Sequence, residues 1–275
     1  MRIGIFAKTF RRPAIEELFQ AIAGHGIRSV QFNMSCAGLD PLPADVPPEL
    51  VQQITGAAER AAVELAAISG TFNMAHPDPA VRRDGLMKFE ILCEAAARLC
   101  IPVVTLCTGT RDPVNMWKWH PENDSKAAWE DMVQSIGSAL GAAEKYHLCL
   151  AFEPESENVV NSACRARQLL DELQSPRLRI VIDPANLVVP ERSQQDVLDE
   201  ALNLLGDVIA IAHAKDRDQA FQACAAGKGT LDFEYYLRGL ERVEFTGPLI
   251  MHGLEEEDVA FSCEFLQRIL DRNVS

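Results

Sequence analysis

Residues 149–155 read Cys-Leu-Ala-Phe-Glu-Pro-Glu. The first four make the apolar run of a strand covered on both faces, and Glu153 at its end has no place in a core. A strand that carries a carboxylate to its C-terminal tip points to an α/β fold whose strand ends form the working face. Other strands in the chain should then end on reactive groups as well.

Working outward, β-rich runs lie at 2–10, 29–34, 64–73, 103–110, 149–155, 179–187, 208–216 and 248–254. An amphipathic segment follows each, at 14–24, 48–61, 79–99, 125–146, 162–173, 194–205, 233–240 and 256–270. In the fifth of these, Ala163, Ala166, Leu169, Leu170 and Leu173 recur at helical spacing, and Ser125 and Ser162 stand where helix caps are expected. Eight β and eight α units in strict alternation share 275 residues, about 34 per pair, which fits a (β/α)8 TIM barrel. An open doubly wound sheet has fewer repeats and a glycine-rich first turn, whereas residues 7–13 read Ala-Lys-Thr-Phe-Arg-Arg-Pro. No linker divides the chain, so a single domain over 1–275 is expected.

The formal charge of −14 excludes a general nucleic-acid binder, because phosphate backbones need a positive surface. No apolar run reaches the roughly 18 residues of a transmembrane helix, and no membrane partner is expected. The opening Met-Arg-Ile-Gly-Ile-Phe is too short for a signal peptide. Eight cysteines are scattered through apolar segments without a C-x-x-C pair, which suits reduced thiols in a cytoplasmic protein.

The fifth strand ends at Glu153, the sixth at Asp183 in Ile-Val-Ile-Asp-Pro-Ala-Asn, the seventh at His213 and the eighth at His252. Two carboxylates and two imidazoles on one rim suit one divalent ion, of Mn, Zn, Fe or Mg. Each residue alone also has an ordinary role: Glu153 paired with Lys215 or Arg217, Asp183 capping the turn at Pro184, either histidine satisfied in the wall. Four such coincidences at equivalent strand positions are harder to arrange than one metal site.

The segments Phe-Glu-Pro-Glu-Ser-Glu-Asn-Val-Val-Asn-Ser (152–162), Ile-Val-Ile-Asp-Pro-Ala-Asn-Leu (180–187), Ala-His-Ala-Lys-Asp (212–216), Gly-Thr-Leu-Asp-Phe (229–233) and Gly-Pro-Leu-Ile-Met-His-Gly-Leu (247–254) resemble the xylose isomerase-like TIM-barrel superfamily, its sugar phosphate isomerase/epimerase group. So do Ser-Gly-Thr-Phe-Asn-Met-Ala-His-Pro-Asp (69–78) and Leu-Cys-Thr-Gly-Thr-Arg-Asp-Pro (106–113). In the ketose epimerases of that group the ligands are Glu, Asp, His and Glu on strands five to eight, and the two glutamates are also the acid/base pair. The resemblance implies that Glu153, Asp183 and His213 are ligands, while His252 departs from the pattern. That departure removes one of the two proton-transfer carboxylates.

The expected activity is isomerisation or epimerisation of a sugar, sugar phosphate or cyclitol by proton abstraction beside a metal-polarised carbonyl. Glu153 and His76 are the candidate proton carriers. A dehydratase acting on a cyclitol or keto acid starts from the same abstraction, and a non-catalytic ligand-binding barrel is a third reading. Phosphodiester cleavage, known among the endonuclease relatives, sits poorly with the charge and with only six histidines. Lys8, Asn33, Asn73, Arg111, Trp117, Asn186, Lys215 and Asp216 are the expected substrate-binding residues, all near strand tips. Trp117 and Trp119 would lid a sugar or form a subunit contact, so a homodimer is an open arrangement. Gly227-Lys-Gly229 resembles only a fragment of a phosphate loop.

Overall fold

The structure is a computed structural model that describes residues 1–273. The last two residues of the expected 1–275 domain lie outside it. Eight parallel strands close into a barrel: β1 (Arg2–Phe6), β2 (Ser29–Phe32), β3 (Glu64–Ser69), β4 (Val103–Cys107), β5 (Cys149–Glu153), β6 (Leu178–Ile182), β7 (Ile209–Arg217) and β9 (Pro248–Met251). The ring closes through the β6–β7 and β1–β9 pairings. A three-residue strand, β8 (Ala223–Ala225), folds back antiparallel on the end of β7 and lies outside the ring. It is too short to register as a separate run in the sequence.

Helices α1 (Ile15–Gly24), α2 (Pro48–Arg60), α3 (Pro79–Arg98), α4 (Lys126–Lys145), α5 (Ala163–Leu173), α6 (Pro184–Leu187), α7 (Gln194–Leu205), α8 (Phe233–Arg242) and α9 (Val259–Asn273) surround the barrel. Helix α8 shows how the outer layer is built. Asp232 caps it, accepting from the Tyr235 N–H, and Phe233, Tyr236, Leu237 and Leu240 recur at helical spacing on its buried face. Each such side chain contributes roughly 1.5–3 kcal/mol on burial. The hydroxyl of Tyr236 lies 3.2 Å from both the Ile182 and His213 carbonyl oxygens, so one proton ties the tips of β6 and β7. Ser125 and Ser162 cap α4 and α5 as expected.

Several expected strands stop early. The first ends at Phe6 and the third at Ser69, and residues 184–187 of the sixth run form α6, because Pro184 lacks the N–H a strand would use. The pleat explains where the site lies. Ala67, Ala151, Val181, Ile211 and Ile250 form a separate apolar cluster inside the barrel. Side chains repeat on one face of a strand every two residues. The next inward residues towards the strand tips are therefore Ser69, Glu153, Asp183, His213 and His252. On these five strands the interior changes from apolar to polar in one step.

Candidate metal centre

Glu153, Asp183, His213 and His252 converge: one ligand atom from each lies within 4.8 Å of all the others. Asp183 is fully buried at the centre of the group. Its Oδ2 is 3.1 Å from His252 Nε2 and 3.8 Å from His213 Nδ1. Glu153 Oε2 is 3.3 Å from the same Nδ1. Neighbouring ligands at about 2.1 Å from one ion stand about 3.0–3.4 Å apart, which is the spacing of the closer pairs here.

The donor chemistry fits a divalent cation. His213 is buried, and its Nδ1 has no hydrogen-bond partner although two carboxylates face it. A buried imidazole nitrogen rarely stays unpaired without a purpose. A ring nitrogen aimed between two carboxylates is where a shared cation would take the place of the ring proton.

In the metal-free chain these groups balance one another. Burial opposes ionisation of Asp183, but the Lys215 ammonium at 2.9 Å and the two imidazoles outweigh it and hold the carboxyl well below its usual range. Burial likewise pushes His213 down, and the facing Glu153 and Asp183 carboxylates reverse this and hold it at about 9. His252 is held below its ordinary value by burial and by the neighbouring His213 and Lys215. Lys215 also donates to Asn186 Oδ1 at 2.7 Å, while Asn186 Nδ2 donates to Glu153 Oε1 at 2.5 Å. Asn186 thus holds the glutamate in place from one side.

Above the cluster lies a cavity of about 390 Å³. Lys8, Asn33, Trp117, Asn186 and Lys215 line it, as the sequence suggested. Phe6 and Met116 join Trp117 as its apolar wall. Four of the residues expected to bind substrate or carry a proton do not line it. His76 spends both ring nitrogens locally: Nδ1 accepts the Asp78 N–H at 3.0 Å and Nε2 lies 3.2 Å from the Pro113 carbonyl. Both contacts lie at the entry to α3, outside the cavity lining. Asn73 accepts the Thr110 N–H at 2.9 Å and donates to the Asp112 carbonyl, so it ties two loops together. Gly109 packs beside it at φ +79°, where a Cβ would strike the Asn73 amide. Arg111 is paired with Asp131 at 2.8 Å and donates to the Ala75 carbonyl. Asp216 accepts the N–H groups of Arg217, Gly227, Gly229 and Leu231. The two glycine amides that a phosphate would need are thereby committed to a carboxylate of the same chain.

Two functional candidates escaped the sequence reading. Glu155 lines the cavity, and its carboxyl is pushed up to about 8 by burial and by the neighbouring Glu153. The period-two step from Glu153 past Pro154 is the signal that points to it. Gln31, in the middle of β2, lies against His213. An amide between the apolar Val30 and Phe32 is the trace it leaves in the sequence.

A profile described as xylose isomerase-like TIM barrel matches residues 19–269. No curated protein matches the sequence. Among solved structures, D-psicose 3-epimerase of Clostridium cellulolyticum H10, determined with D-tagatose, superposes with a TM-score of 0.78 at 15% identity, covering 98% of this chain and 99% of that one. A D-tagatose 3-epimerase-like protein gives 0.80 at 17% identity over 100% of both chains. The probable 3-DHS dehydratase AsbF of Bacillus anthracis gives 0.78 at 11% identity, covering 97% and 99%. At such identities the likeness is one of fold.

Proposed function

The chain belongs to the xylose isomerase-like TIM-barrel family, and from that premise we propose that it is a divalent-metal-dependent isomerase or epimerase of a sugar or a related polyol. The observation that carries this is the unpaired, buried Nδ1 of His213, aimed at two carboxylates beside a second imidazole. Glu153, Asp183, His213 and His252 hold the ion, which when bound polarises a carbonyl and its neighbouring hydroxyl and so acidifies the adjacent C–H.

Glu153 takes the proton. One of its oxygens is held by Asn186, which leaves the other directed towards the cluster. With His252 at the tip of β9, the symmetric partner glutamate of the ketose epimerases is replaced, and Glu155 supplies the second carboxyl from the same strand end. Its raised affinity for a proton suits the donor at neutral pH. Phe6, Met116 and Trp117 offer apolar faces for the C–H side of a sugar ring. Lys8 lines the same cavity, its ammonium over the Phe6 ring, and offers a positive charge to a hydroxyl or an anionic substituent.

Dehydration is the second reading, favoured by the same Glu155: a protonated carboxyl beside a base can assist a departing hydroxyl. The test measures the metal content of the purified protein, then incubates the metal-loaded protein in D₂O with a ketose panel that includes D-tagatose, D-fructose and D-allulose. Deuterium in recovered and isomerised sugar supports epimerisation. Loss of water to an unsaturated product supports the lyase. A wild-type protein that takes up no divalent metal would end both.

A further inference from the structure

We propose that Gln31 is a positioning residue that holds His213 as the Nε2–H tautomer and so presents the Nδ1 lone pair to the carboxylate cluster. The inference rests on the metal reading above for its purpose, but not for its geometry.

Gln31 is buried in the barrel interior on β2, across the barrel from β7. A buried amide is costly unless both its ends are satisfied. Here Nε2 donates to Thr105 Oγ1 on β4 at 3.3 Å, and Oε1 lies 3.0 Å from His213 Nε2. An amide oxygen only accepts, so the ring proton belongs on Nε2. In the neutral ring Nδ1 is then the acceptor. That nitrogen is the one left without a hydrogen-bond partner, facing Glu153 and Asp183. The Thr105 hydroxyl accepts the Gln31 N–H, which leaves the amide oxygen for the ring.

The backbone supports the placement. The register between β2 and β3 slips by one residue at the Val30–Gln31 step, so that Gln31 pairs with Ala67 rather than Ala66. Ala67 belongs to the inner apolar cluster, so the slip matches an inward residue with an inward residue. Three strands, β2, β4 and β7, thereby meet in one relay in the cavity wall. Groups that orient a ligating histidine through its far nitrogen set its tautomer and its basicity, and losing them typically costs roughly 10- to 100-fold in metal affinity.

The test compares wild type with Gln31→Leu, which keeps the bulk and removes the acceptor, and Gln31→Glu, which keeps an acceptor. The nitrogen shifts of ¹⁵N-labelled His213 are recorded in the metal-free protein at a pH where the ring is neutral. The proton should sit on Nε2 in wild type and Gln31→Glu, and Gln31→Leu should lose that preference. Zn²⁺ titration should then show roughly 10- to 100-fold weaker binding by Gln31→Leu, with affinity kept by Gln31→Glu. A wild-type ring protonated on Nδ1, or a Gln31→Leu protein with wild-type tautomer and Zn²⁺ affinity, overturns the assignment. Failure of wild type to bind Zn²⁺ refutes the metal centre, and the tautomer measurement still decides the role of Gln31.

Discussion

Replacing Asp183 with asparagine separates what the carboxylate does for the fold from what it does for the ion. Asparagine keeps the oxygen that caps α6, where Oδ1 accepts the Ala185 N–H at 2.9 Å. It removes the charge that faces Lys215 Nζ at 2.9 Å and His252 Nε2 at 3.1 Å. At an effective dielectric of 20, unit charges at that closer distance attract by about 6 kcal/mol. Part of this returns because a neutral side chain costs less to bury. Measured losses on breaking a buried pair run at about 3–5 kcal/mol, since the remaining charge is left uncompensated. Against a total stability of about 5–15 kcal/mol, the metal-free variant should still fold but melt well below wild type. In wild type, metal at 100 times its Kd should add about 2.7 kcal/mol, a rise of roughly 5–10 °C for a chain of this size. Asp183→Asn should show little of that rise. The assay is thermal melting with chelator and with added Mn²⁺ or Zn²⁺, alongside measured metal content. Adding Lys215→Met to the variant removes the stranded ammonium, so it should recover much of the melting temperature but none of the metal response. A wild-type metal shift in Asp183→Asn would refute the ligand assignment. An unchanged metal-free melting point would refute the account of the buried pair.

Glu153→Gln keeps an oxygen donor but cannot accept a proton, so it should retain some metal and lose solvent-deuterium exchange at the substrate carbon by roughly 10²-fold or more, read by NMR. His76→Gln should leave that exchange within a few-fold of wild type and lower stability by about 1 kcal/mol, because His76 braces the start of α3 rather than the cavity. Metal binding must displace the proton that His213 holds up to about 9, so affinity measured by competition titration should rise roughly tenfold per pH unit between about 6.5 and 8.5. The same raised value makes metal-free stability present below the ordinary histidine range and lost as pH rises through about 9, so chelated protein should melt lower at pH 10 than at pH 6.5, with a smaller difference once metal is bound.

The barrel was legible because its signal is repeated: eight apolar runs alternate with eight amphipathic ones, and no single boundary has to be right. Glu153, Asp183, His213 and His252 were legible because each breaks an apolar run at its end, where the pleat leaves one inward position above the inner cluster. Asn73, Arg111 and Asp216 break runs in the same way, yet they turn to the backbone of neighbouring loops. Whether a polar tip residue faces the cavity or a loop depends on the paths of segments far off in sequence, and local pattern does not encode those paths. Gln31 was hidden for the opposite reason: its role exists only through contacts with β4 and β7, 74 and 182 residues away along the chain.

The four side chains proposed to hold the ion stand at the ends of barrel strands, one pleat above the inner cluster, whereas Lys8, Met116 and Trp117 reach the cavity from the connecting segments beyond those ends. Inheritance can act on the two groups separately. Between its anchors at Arg111 and Asn123, the segment that carries Met116 and Trp117 can change without shifting a strand, so under the proposed function the set of accepted sugars can drift while the four strand-tip side chains stay in place. In a lineage built this way, substrate preference is the changeable trait and the proton chemistry the durable one.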